Sequence, residues 1–336
     1  MTKRVNVAVV DATGVVGEAL LTALEVRKFP VDDLYCLNAG ETVGENMRYF
    51  GKSLSVESIA DFDFTQVQLV FFCSEAELAG RYADMAADSG CTVIDCSGAF
   101  SAEYDVPLVI PTVNPETLEE CREGRIVANP SPATTALLMV LKPLYDAVGI
   151  ERINLTVLEP VSVVGKAGID ELAAQTVALL NMKETRSRVF SQRVAFNLLP
   201  QVGSLMDNGY TDAEMRMVWE TQKILGDAGI QLNPTTVVVP VFHGYGMSVH
   251  IECRTHLSAT EATAILSEAP GVRLHDDGVP TPVNDATKSE MVHVGRVREA
   301  IANPQGLNLW ITADNVRTGG ALNAVQIAEL WEKCYI

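Results

Sequence analysis

The stretch RVNVAVVDATGVVGEALLTALEVRK (residues 4–28) predicts a strand, a tight turn and a helix in direct succession. Residues 4–10 form an apolar, β-branched run of the length and composition of a buried parallel strand. Residues 15–28 space their apolar side chains for a helix. Gly14 and Gly17 stand where the strand passes into the helix, which is how a dinucleotide-binding α/β unit begins. The stretch therefore predicts a doubly wound α/β fold.

The turn in this stretch departs from the expected Gly-x-x-Gly-x-x-Gly spacing, because its first position is Asp11. The first glycine of such a turn allows the tight bend, and the helix N-terminus then holds a pyrophosphate. A carboxylate at about 4 Å from a phosphate costs roughly 1–4 kcal/mol per charge pair. Two interpretations remain open: a weakened nucleotide site, or a strand–helix turn that only closes a Rossmann-type unit.

Further strand–helix alternation supports the α/β assignment. The chain predicts a strand over 67–73, a helix over 75–89 and a strand over 91–96, followed by an extended segment, PLVIPTVNPETL (107–118), that leads out of the first domain. After Asn129 the pattern changes to strands separated by longer insertions, which is typical of an α+β domain. We expect those strands at 152–159, 235–242 and 248–254.

The C-terminal segment DNVRTGGALNAVQIAELWEKCYI (314–336) predicts an amphipathic helix that opens at Gly319-Gly320 and packs back on the first domain. The predicted domains are residues 1–128 with 316–336, a Rossmann-type dinucleotide-binding domain, and residues 129–315.

Composition narrows the functional classes. The chain has 336 residues, of which 48% are hydrophobic, and a net charge of −18, so it suits two globular domains and disfavours nucleic acid and anionic membranes as partners. No apolar run approaches the 18 residues of a membrane span, and the first residues do not resemble a signal peptide. Seven cysteines without a CxxC spacing favour free thiols in the cytoplasm. No histidine–carboxylate cluster indicates a metal.

The stretch ANPSPATTALLMVLKPL (128–144) predicts a turn and then a buried helix over 133–144, closed at Lys142-Pro143. The N-terminus of such a helix lowers a thiol pKa and stabilises an oxyanion, so it suits a nucleophile. This helix offers Pro132 there instead. Ser131, Thr134 and Thr135 are caps or first-turn residues, and as nucleophiles they would need a base that the sequence does not supply.

Eight segments together resemble the aspartate-semialdehyde dehydrogenase family from end to end. They are ATGVVGEAL (12–20), VIDCSGAF (93–100), VPLVIPTVNP (106–115), ANPSPATT with LKPL (128–144), VSVVGKAGIDEL (161–172), AFNLLPQVG (195–203), GYTDAEMRMVWETQKIL (209–225) and DNVRTGGALNAVQIAE (314–329). The resemblance implies an NADP-binding Rossmann domain, a catalytic and dimerisation domain, and a homodimer. It also implies an NADPH-linked interconversion of aspartyl phosphate and aspartate semialdehyde through a thioester on an active-site cysteine.

The same resemblance assigns the catalytic positions, and most of them are changed. The nucleophilic cysteine falls on Pro132, the general-base histidine on Tyr245 and the acyl-positioning glutamine on Glu159. An ordinary tyrosine titrates near 10, too high for a base at neutral pH.

The substrate-binding positions are changed as well. The substrate-carboxylate arginine falls on Val238 and the phosphate-binding arginine on Ser101, whereas Glu214 keeps its acidic type and a lysine becomes Arg216.

The cofactor-binding positions implied by the resemblance are better preserved. They are Thr13, Gly14, Val15, Val16, Gly17, Ser162 and Asn315. A glycine of the nicotinamide loop becomes Val163, and the arginine that grips the 2′-phosphate of NADP aligns near Glu41. Any residual binding of a nicotinamide dinucleotide is therefore expected to be weak. It should favour NAD over NADP, because Glu41 can accept a hydrogen bond from a ribose 2′-hydroxyl.

The segments that build the fold match the family, whereas the residues at the catalytic positions are changed together. This combination resembles the paralogous bacterial group of the family that lacks the catalytic cysteine and histidine. We expect an inactive paralogue that acts as a homodimer, through association with the active paralogue, or as a small-molecule sensor. The alternative is a divergent NAD(P)-dependent oxidoreductase of amino-acid biosynthesis. Cys73, Cys96 and His243 are its candidate catalytic groups, although packing explains each more simply. His250 is expected on a strand face.

Overall fold

A computed structural model describes residues 4–120, 125–276 and 278–335 of the chain, and Cys121, one of the seven cysteines, lies outside them. The structure divides into two compact units. The first comprises the described residues within Met1–Ser131 and Gly320–Ile336, and the second is Pro132–Gly319. In the described part of the chain no helix is long and apolar enough to cross a membrane.

The first unit is built around a seven-stranded sheet in the order β3-β4-β2-β1-β5-β6-β7, parallel except for the edge strand β3. Its strands are β1 (Val5–Val10), β2 (Val31–Asn38), β3 (Asn46–Tyr49), β4 (Lys52–Ser58), β5 (Leu69–Phe72), β6 (Thr92–Asp95) and β7 (Ile126–Ala128). Its helices are α1 (Val15–Arg27), α2 (Ala76–Asp88) and α7 (Asn323–Tyr335). The predicted doubly wound fold is confirmed, with β1 at the centre of the sheet, where its apolar run is buried on both faces.

Helix α7 packs into the core of this unit, as its amphipathic pattern predicts. Ala324, Ile327 and Trp331 share one hydrophobic cluster with Leu20 and Leu24 of α1. The contact brings together segments from opposite ends of the sequence.

The prediction for residues 107–118 is wrong. The segment does not lead out of the first unit in extended form, because Leu108 bridges Ala128 and residues Pro115–Glu120 form a 3₁₀ turn. Val109 and Leu118 lie in the core of the unit, and the Asn114 side chain bonds the backbone of the segment. Burial of its apolar residues therefore folds this segment back on the sheet.

The second unit is built around a six-stranded mixed sheet in the order β11-β12-β13-β10-β8-β9. Its strands are β8 (Ile150–Glu159), β9 (Gln231–Val238), β10 (Tyr245–Cys253), β11 (Val272–His275), β12 (Val292–Glu299) and β13 (Gly306–Ala313). Its helices are α3 (Pro132–Val148), α4 (Gly165–Leu180), α5 (Asp212–Leu225) and α6 (Ala259–Ser267). The expected α+β character is confirmed.

Two sequence predictions for this unit need correction. Helix α3 does not close at Lys142-Pro143 but runs on to Val148 with Pro143 inside it. The proline removes one backbone donor, yet the largely buried helix packs against four strands and two helices of the unit, and this packing outweighs the lost bond.

The strand expected at 235–242 is shifted, because β9 pairs in parallel with β8 from Arg152↔Gln231 to Glu159↔Val238 and ends there. Pro240 and Gly244, the latter with φ +91°, turn the chain into β10. Beginning at Tyr245 rather than residue 248, β10 brings that tyrosine to the same end of the sheet as Glu159.

Candidate functional site

The turn between β1 and α1, where a dinucleotide phosphate would bind, contains an aspartate with a backbone conformation that glycine usually adopts. Asp11 has φ +59°, in the left-handed region. Aspartate is among the few non-glycine residues that adopt this region with some frequency. Its N–H donates to Leu37 O at 2.9 Å, and its carbonyl accepts from Gly14 N at 3.1 Å. The turn therefore keeps the path of a glycine turn without the glycine.

The Asp11 carboxylate lies against the N-terminus of α1. A Cβ placed on Gly14, the residue that caps α1, would be 2.4 Å from Asp11 Oδ2. Asn38 Nδ2 donates to Asp11 Oδ1 at 3.2 Å. Burial raises the pKa of Asp11, the Asn38 bond lowers it and the charge of Glu75 raises it. A helix N-terminus that would attract a phosphate thus has the chain's own anion beside it.

Gly17 retains the close contact that the fingerprint requires. A Cβ at this position would be 2.2 Å from the Asp11 carbonyl oxygen and 2.8 Å from the Ala12 Cα, so only glycine fits between helix and turn. Glu41 is exposed in the loop that follows β2. The backbone cradle therefore fits a dinucleotide, whereas the Asp11 side chain does not fit a phosphate.

Ser101 lies in a turn that Asp95 organises at the end of β6. The Asp95 carboxylate accepts from Ser97 N at 2.9 Å and from Ser97 Oγ at 2.5 Å. Ser101 is buried, and its hydroxyl donates to Gly98 O at 3.2 Å. The serine therefore has a local structural role, and it carries no charge for an anion.

The strand register of the second unit brings four side chains together at one end of its sheet. They are Glu159, Val238 and Tyr245, which the sequence analysis singled out, and their neighbour Ala313. Glu159 pairs with Val238, Tyr245 pairs with Ala313, and Gly246 pairs with Leu158, so Tyr245 lies beside Glu159. Laterally paired residues project to the same face. All four are buried, with Glu159 and Tyr245 each 4% exposed.

Burial governs the protonation of this cluster. Removal from water, reinforced by the charge of Glu214, raises the pKa of Glu159 to about 7. Burial and then the Glu159 charge raise the pKa of Tyr245 well above its ordinary value. Tyr245 therefore stays a neutral phenol, and the position is unsuited to a general base.

Glu214 and Arg216 are engaged within their own unit. Glu214 Oε2 accepts from Thr211 N at 2.9 Å in the capping box that begins α5, and its Oε1 accepts from Thr236 N at 2.8 Å in β9. Arg216 Nε pairs with Glu220 Oε1 at 2.7 Å, one turn along the helix. Glu214 therefore fixes α5 on the sheet.

The N-terminus of α3 begins at Pro132, which has no N–H and no reactive atom. Gly319 approaches it so closely that a Cβ there would lie 2.5 Å from both the Cα and the carbonyl oxygen of Pro132. Thr134 and Thr135 are fully buried. The first turn of the helix thus carries no thiol, and its two hydroxyl groups are buried.

Comparison with known proteins identifies the framework. Residues 6–121 match the model for the semialdehyde dehydrogenase NAD binding domain, and residues 141–318 match the model for the semialdehyde dehydrogenase dimerisation domain. The chain is 48% identical over 336 residues to "Aspartate-semialdehyde dehydrogenase 2" of Vibrio cholerae serotype O1, covering 100% of both chains. The chain belongs to the aspartate-semialdehyde dehydrogenase family.

Two further relatives span nearly the whole chain. A crystal structure of aspartate semialdehyde dehydrogenase II from Vibrio cholerae, complexed with ASA, superposes with a TM-score of 0.98 at 48% identity, covering 99% of this chain and 100% of that chain. A "USG-1 protein homolog" of Pseudomonas aeruginosa is 39% identical over 337 residues, covering 100% of both chains. The relatives therefore include proteins described as dehydrogenases and proteins described otherwise.

The side chains of Ser162 and Asn315, two cofactor-binding positions implied by the resemblance, are hydrogen-bonded to each other. Asn315 Nδ2 donates to Ser162 Oγ at 3.0 Å, and Gly244 N donates to Asn315 Oδ1 at 2.9 Å. The asparagine thereby ties the loop after β13 to two other loops of the unit. Val163 lies beside Ser162 in a 3₁₀ turn.

The remaining sequence candidates belong to different units of the structure. Cys73 and Cys96 follow β5 and β6 in the first unit, whereas His243 is a half-buried loop residue of the second. His250 lies on a face of β10, as expected, and contacts Asn308 Oδ1 at 3.1 Å.

The structure also contains a pair of neighbouring histidines, His275 and His293, that the sequence analysis did not predict. His275 Nε2 lies 2.9 Å from His293 Nδ1, and His293 Nε2 lies 2.8 Å from Ser289 Oγ. The two residues come from adjacent strands whose pairing the sequence does not indicate. In the described residues no group of three or more histidine, cysteine or acidic side chains is arranged to hold a metal.

Proposed function

We propose that this chain is a non-catalytic member of the aspartate-semialdehyde dehydrogenase family that acts by association. The observation that carries the proposal is Pro132 at the first position of α3, where the family resemblance implies the cysteine. Tyr245, at the position of the histidine, is buried and stays protonated. A thioester mechanism needs a nucleophilic sulfur, and the start of α3 offers none. Glu159, with its pKa of about 7, can accept a proton, so the missing sulfur and not a missing base carries the proposal.

An enzyme assay tests the proposal directly. We expect no phosphate-dependent reduction of NADP with aspartate semialdehyde, and no reverse reaction with aspartyl phosphate and NADPH. The Vibrio cholerae relative, assayed in parallel, serves as the comparison protein. Turnover by the wild-type chain that survives removal of contaminating enzyme through a second purification tag would disprove the proposal.

The proposed association is a homodimer formed by the second unit. The family resemblance assigns dimer contacts to residues 195–203 and 209–225. Large apolar side chains in these two segments are exposed: Phe196 by 66%, Leu198 by 60% and Trp219 by 43%. Leu180 and Met182, at and just beyond the end of α4, are 74% and 98% exposed. Apolar surface of this kind is stabilised by burial against a second copy. The match of residues 141–318 to a dimerisation domain supports the same surface.

Light scattering tests the dimer. We expect a species of about 73 kDa, twice the 36.3 kDa chain, by two-fold symmetry. The double variant Phe196→Asp with Leu198→Asp introduces charges into the proposed interface and should give monomer at micromolar concentration. Val26→Asp is the matched control, because Val26 is 63% exposed in the first unit. A wild-type monomer, or a dimer that both variants leave intact, would contradict this interface.

The same surface is proposed to admit a subunit of an active paralogue. Co-expression of this chain with a tagged active member should recover mixed dimers, and Phe196→Asp with Leu198→Asp should abolish them. If only homodimers are recovered, regulation of an active partner loses its simplest mechanism, and a small-molecule sensor becomes the better hypothesis.

Nucleotide binding is proposed to be weak and to favour NAD over NADP. The support is the Asp11 carboxylate at the start of α1 and the exposed Glu41 after β2. The six described cysteines are free thiols, and this suits a reducing compartment such as the cytoplasm.

A second candidate function is a divergent NAD(P)-dependent oxidoreductase. The close approach at Gly17 favours it, since that contact is part of a dinucleotide cradle and residues 6–121 match an NAD binding domain. Native mass spectrometry of freshly purified protein separates the two functions. A retained nicotinamide dinucleotide would favour the oxidoreductase, whereas a co-purified protein without nucleotide would favour association.

A further inference from the structure

Two cysteines end neighbouring parallel strands of the first sheet. Cys73 follows β5 and Cys96 follows β6, directly after the register pair Phe72↔Asp95. Cys96 N donates to Phe72 O at 2.9 Å, so the strand pairing continues up to the cysteines. Neighbouring strands lie about 4.8 Å apart. That spacing falls within the roughly 4.4–6.8 Å that separates the Cα atoms of a disulfide.

The side chains of the two cysteines also meet. The Cys96 thiol is hydrogen-bonded to Cys73, and it also shares a hydrogen bond with the Asn129 side chain. The Cys73 bond and burial are the main causes that hold the pKa of Cys96 well above its ordinary range. Cys96 therefore keeps its proton and donates it toward Cys73, which leaves the Cys73 sulfur as the acceptor of this contact and assigns it as the attacking sulfur.

Asn129 is itself held in position. Asn323 Nδ2 donates to Asn129 Oδ1 at 2.6 Å, and Asn129 Nδ2 donates to Gly320 O at 3.3 Å. All of these residues belong to the first unit. The environment of Cys96 is therefore fixed by a buried amide network.

The other described cysteines lie in different surroundings. The Cys91 thiol donates to the carbonyl oxygens of Phe64 at 3.1 Å and Val67 at 3.2 Å, and the residue is fully buried. Cys36 and Cys253 are buried in strands β2 and β10, and Cys334 is exposed in α7. Cys91 directly precedes β6, so it provides a control thiol at the opposite end of the strand that Cys96 follows.

We infer that Cys73 and Cys96 form a reversible disulfide when the folded protein meets a hydroperoxide. The Cys73 thiolate attacks the peroxide oxygen, which forms a sulfenic acid and releases the other oxygen as water or alcohol after protonation. The Cys96 sulfur then attacks the sulfenic sulfur, loses its proton and expels hydroxide as a second water. The peroxide is reduced by two electrons, and a dithiol restores both thiols.

The position of this pair connects it to the turn that ends β1. Cys73 N donates to Val10 O at 3.1 Å, and Val10 directly precedes Asp11. Oxidation would therefore cross-link β5 and β6 at their carboxyl ends, which is the end of the sheet at which α/β domains bind their ligands. The inference is independent of whether the second unit is catalytic.

Thiol counting after oxidation tests the inference. The reduced, folded protein is treated with a molar excess of hydrogen peroxide, denatured and labelled with N-ethylmaleimide. Seven cysteines should give seven labels before oxidation and five after it. The unlabelled protein should be lighter by two hydrogen atoms, and dithiothreitol should restore all seven labels.

Matched serine variants assign the disulfide. Cys91→Ser should still lose two labels, and Cys73→Ser should lose none. Cys96→Ser should lose one label and form no disulfide, because the sulfenic acid on Cys73 has no second thiol to react with. Fragmentation of the cross-linked tryptic peptides should place the bond between residues 73 and 96. An unchanged count of seven in oxidised wild type, a disulfide that persists in Cys96→Ser, or oxidation to sulfinic acid without a disulfide would each overturn the inference.

Discussion

The turn at Asp11 and the sheet end at Glu159 both carry an acidic residue where the family resemblance implies an uncharged one, but they differ in what else has changed. Around Asp11 the backbone framework is intact, because Gly14 and Gly17 keep their close contacts. Around Glu159 the strand pairing is also intact, yet the positions to which the family resemblance assigns the chemistry carry proline, tyrosine and valine.

This difference separates two kinds of site. A phosphate cradle depends mainly on backbone N–H groups and a helix N-terminus, so one side chain is enough to weaken it and one substitution should recover it. A thioester mechanism depends on several side chains that act as a unit, so no single substitution should recover it. Three experiments test this comparison, from the largest expected effect to the smallest.

The largest effect is expected at the second site. Pro132→Cys alone should leave turnover undetectable, because losing members of a catalytic unit costs on the order of 10⁴- to 10⁶-fold in a non-additive way. Adding Tyr245→His, Glu159→Gln, Val238→Arg and Ser101→Arg should produce phosphate-dependent NADP reduction. Steady-state kinetics of the single and combined variants measure this.

Pro132→Ala is the control for removing the proline without adding a thiol. Activity from Pro132→Cys alone would show that the rest of the site is still functional, and the contrast between the two sites would then disappear.

The second effect concerns stability around Glu159. A carboxyl whose pKa rises from 4.5 to about 7 on folding contributes stability that is present below about pH 4.5 and is lost as the pH rises to 7. Glu159→Gln removes the titration, so the variant should match wild type near pH 4.5 and exceed it by about 3 kcal/mol above pH 7. Urea unfolding across this range measures the difference.

Glu220→Gln provides a control of opposite sign, since it removes the ion pair with Arg216 and should lower stability near pH 8. Equal pH dependence of wild type and Glu159→Gln would show that folding does not raise the pKa of the Glu159 carboxyl.

The smallest effect is expected at the turn. Asp11→Gly should strengthen NAD binding by about tenfold to a few hundredfold, because it removes a repulsion of roughly 1–4 kcal/mol from the phosphates. Isothermal titration measures the affinity, and adding Glu41→Arg should shift the preference to NADP through a charge-assisted bond.

Asp11→Asn separates charge from shape at this position, because asparagine also tolerates a left-handed backbone. If Asp11→Asn binds NAD as weakly as wild type while Asp11→Gly binds it tightly, the obstacle is the bulk of the side chain rather than its charge.

Local sequence signals predicted the elements that depend on local pattern. The strand and helix of residues 4–28 follow from apolar spacing, and the C-terminal helix follows from its amphipathic face. Predictions failed where long-range contacts decide the outcome. Helix α3 passes through Pro143 because its apolar side chains are buried, and β9 ends at Val238 because its partner β8 ends at Glu159.

The sequence by itself determined which atoms are available: no sulfur at Pro132, no imidazole at Tyr245 and a carboxylate at Asp11. Only the tertiary structure decided the state of those atoms. Asp11 is directed by Asn38, and the pKa of Glu159 is set by burial and by the charge of Glu214. Desolvation and electrostatic interaction act through space, so residues distant in the chain determine the protonation and orientation of each group.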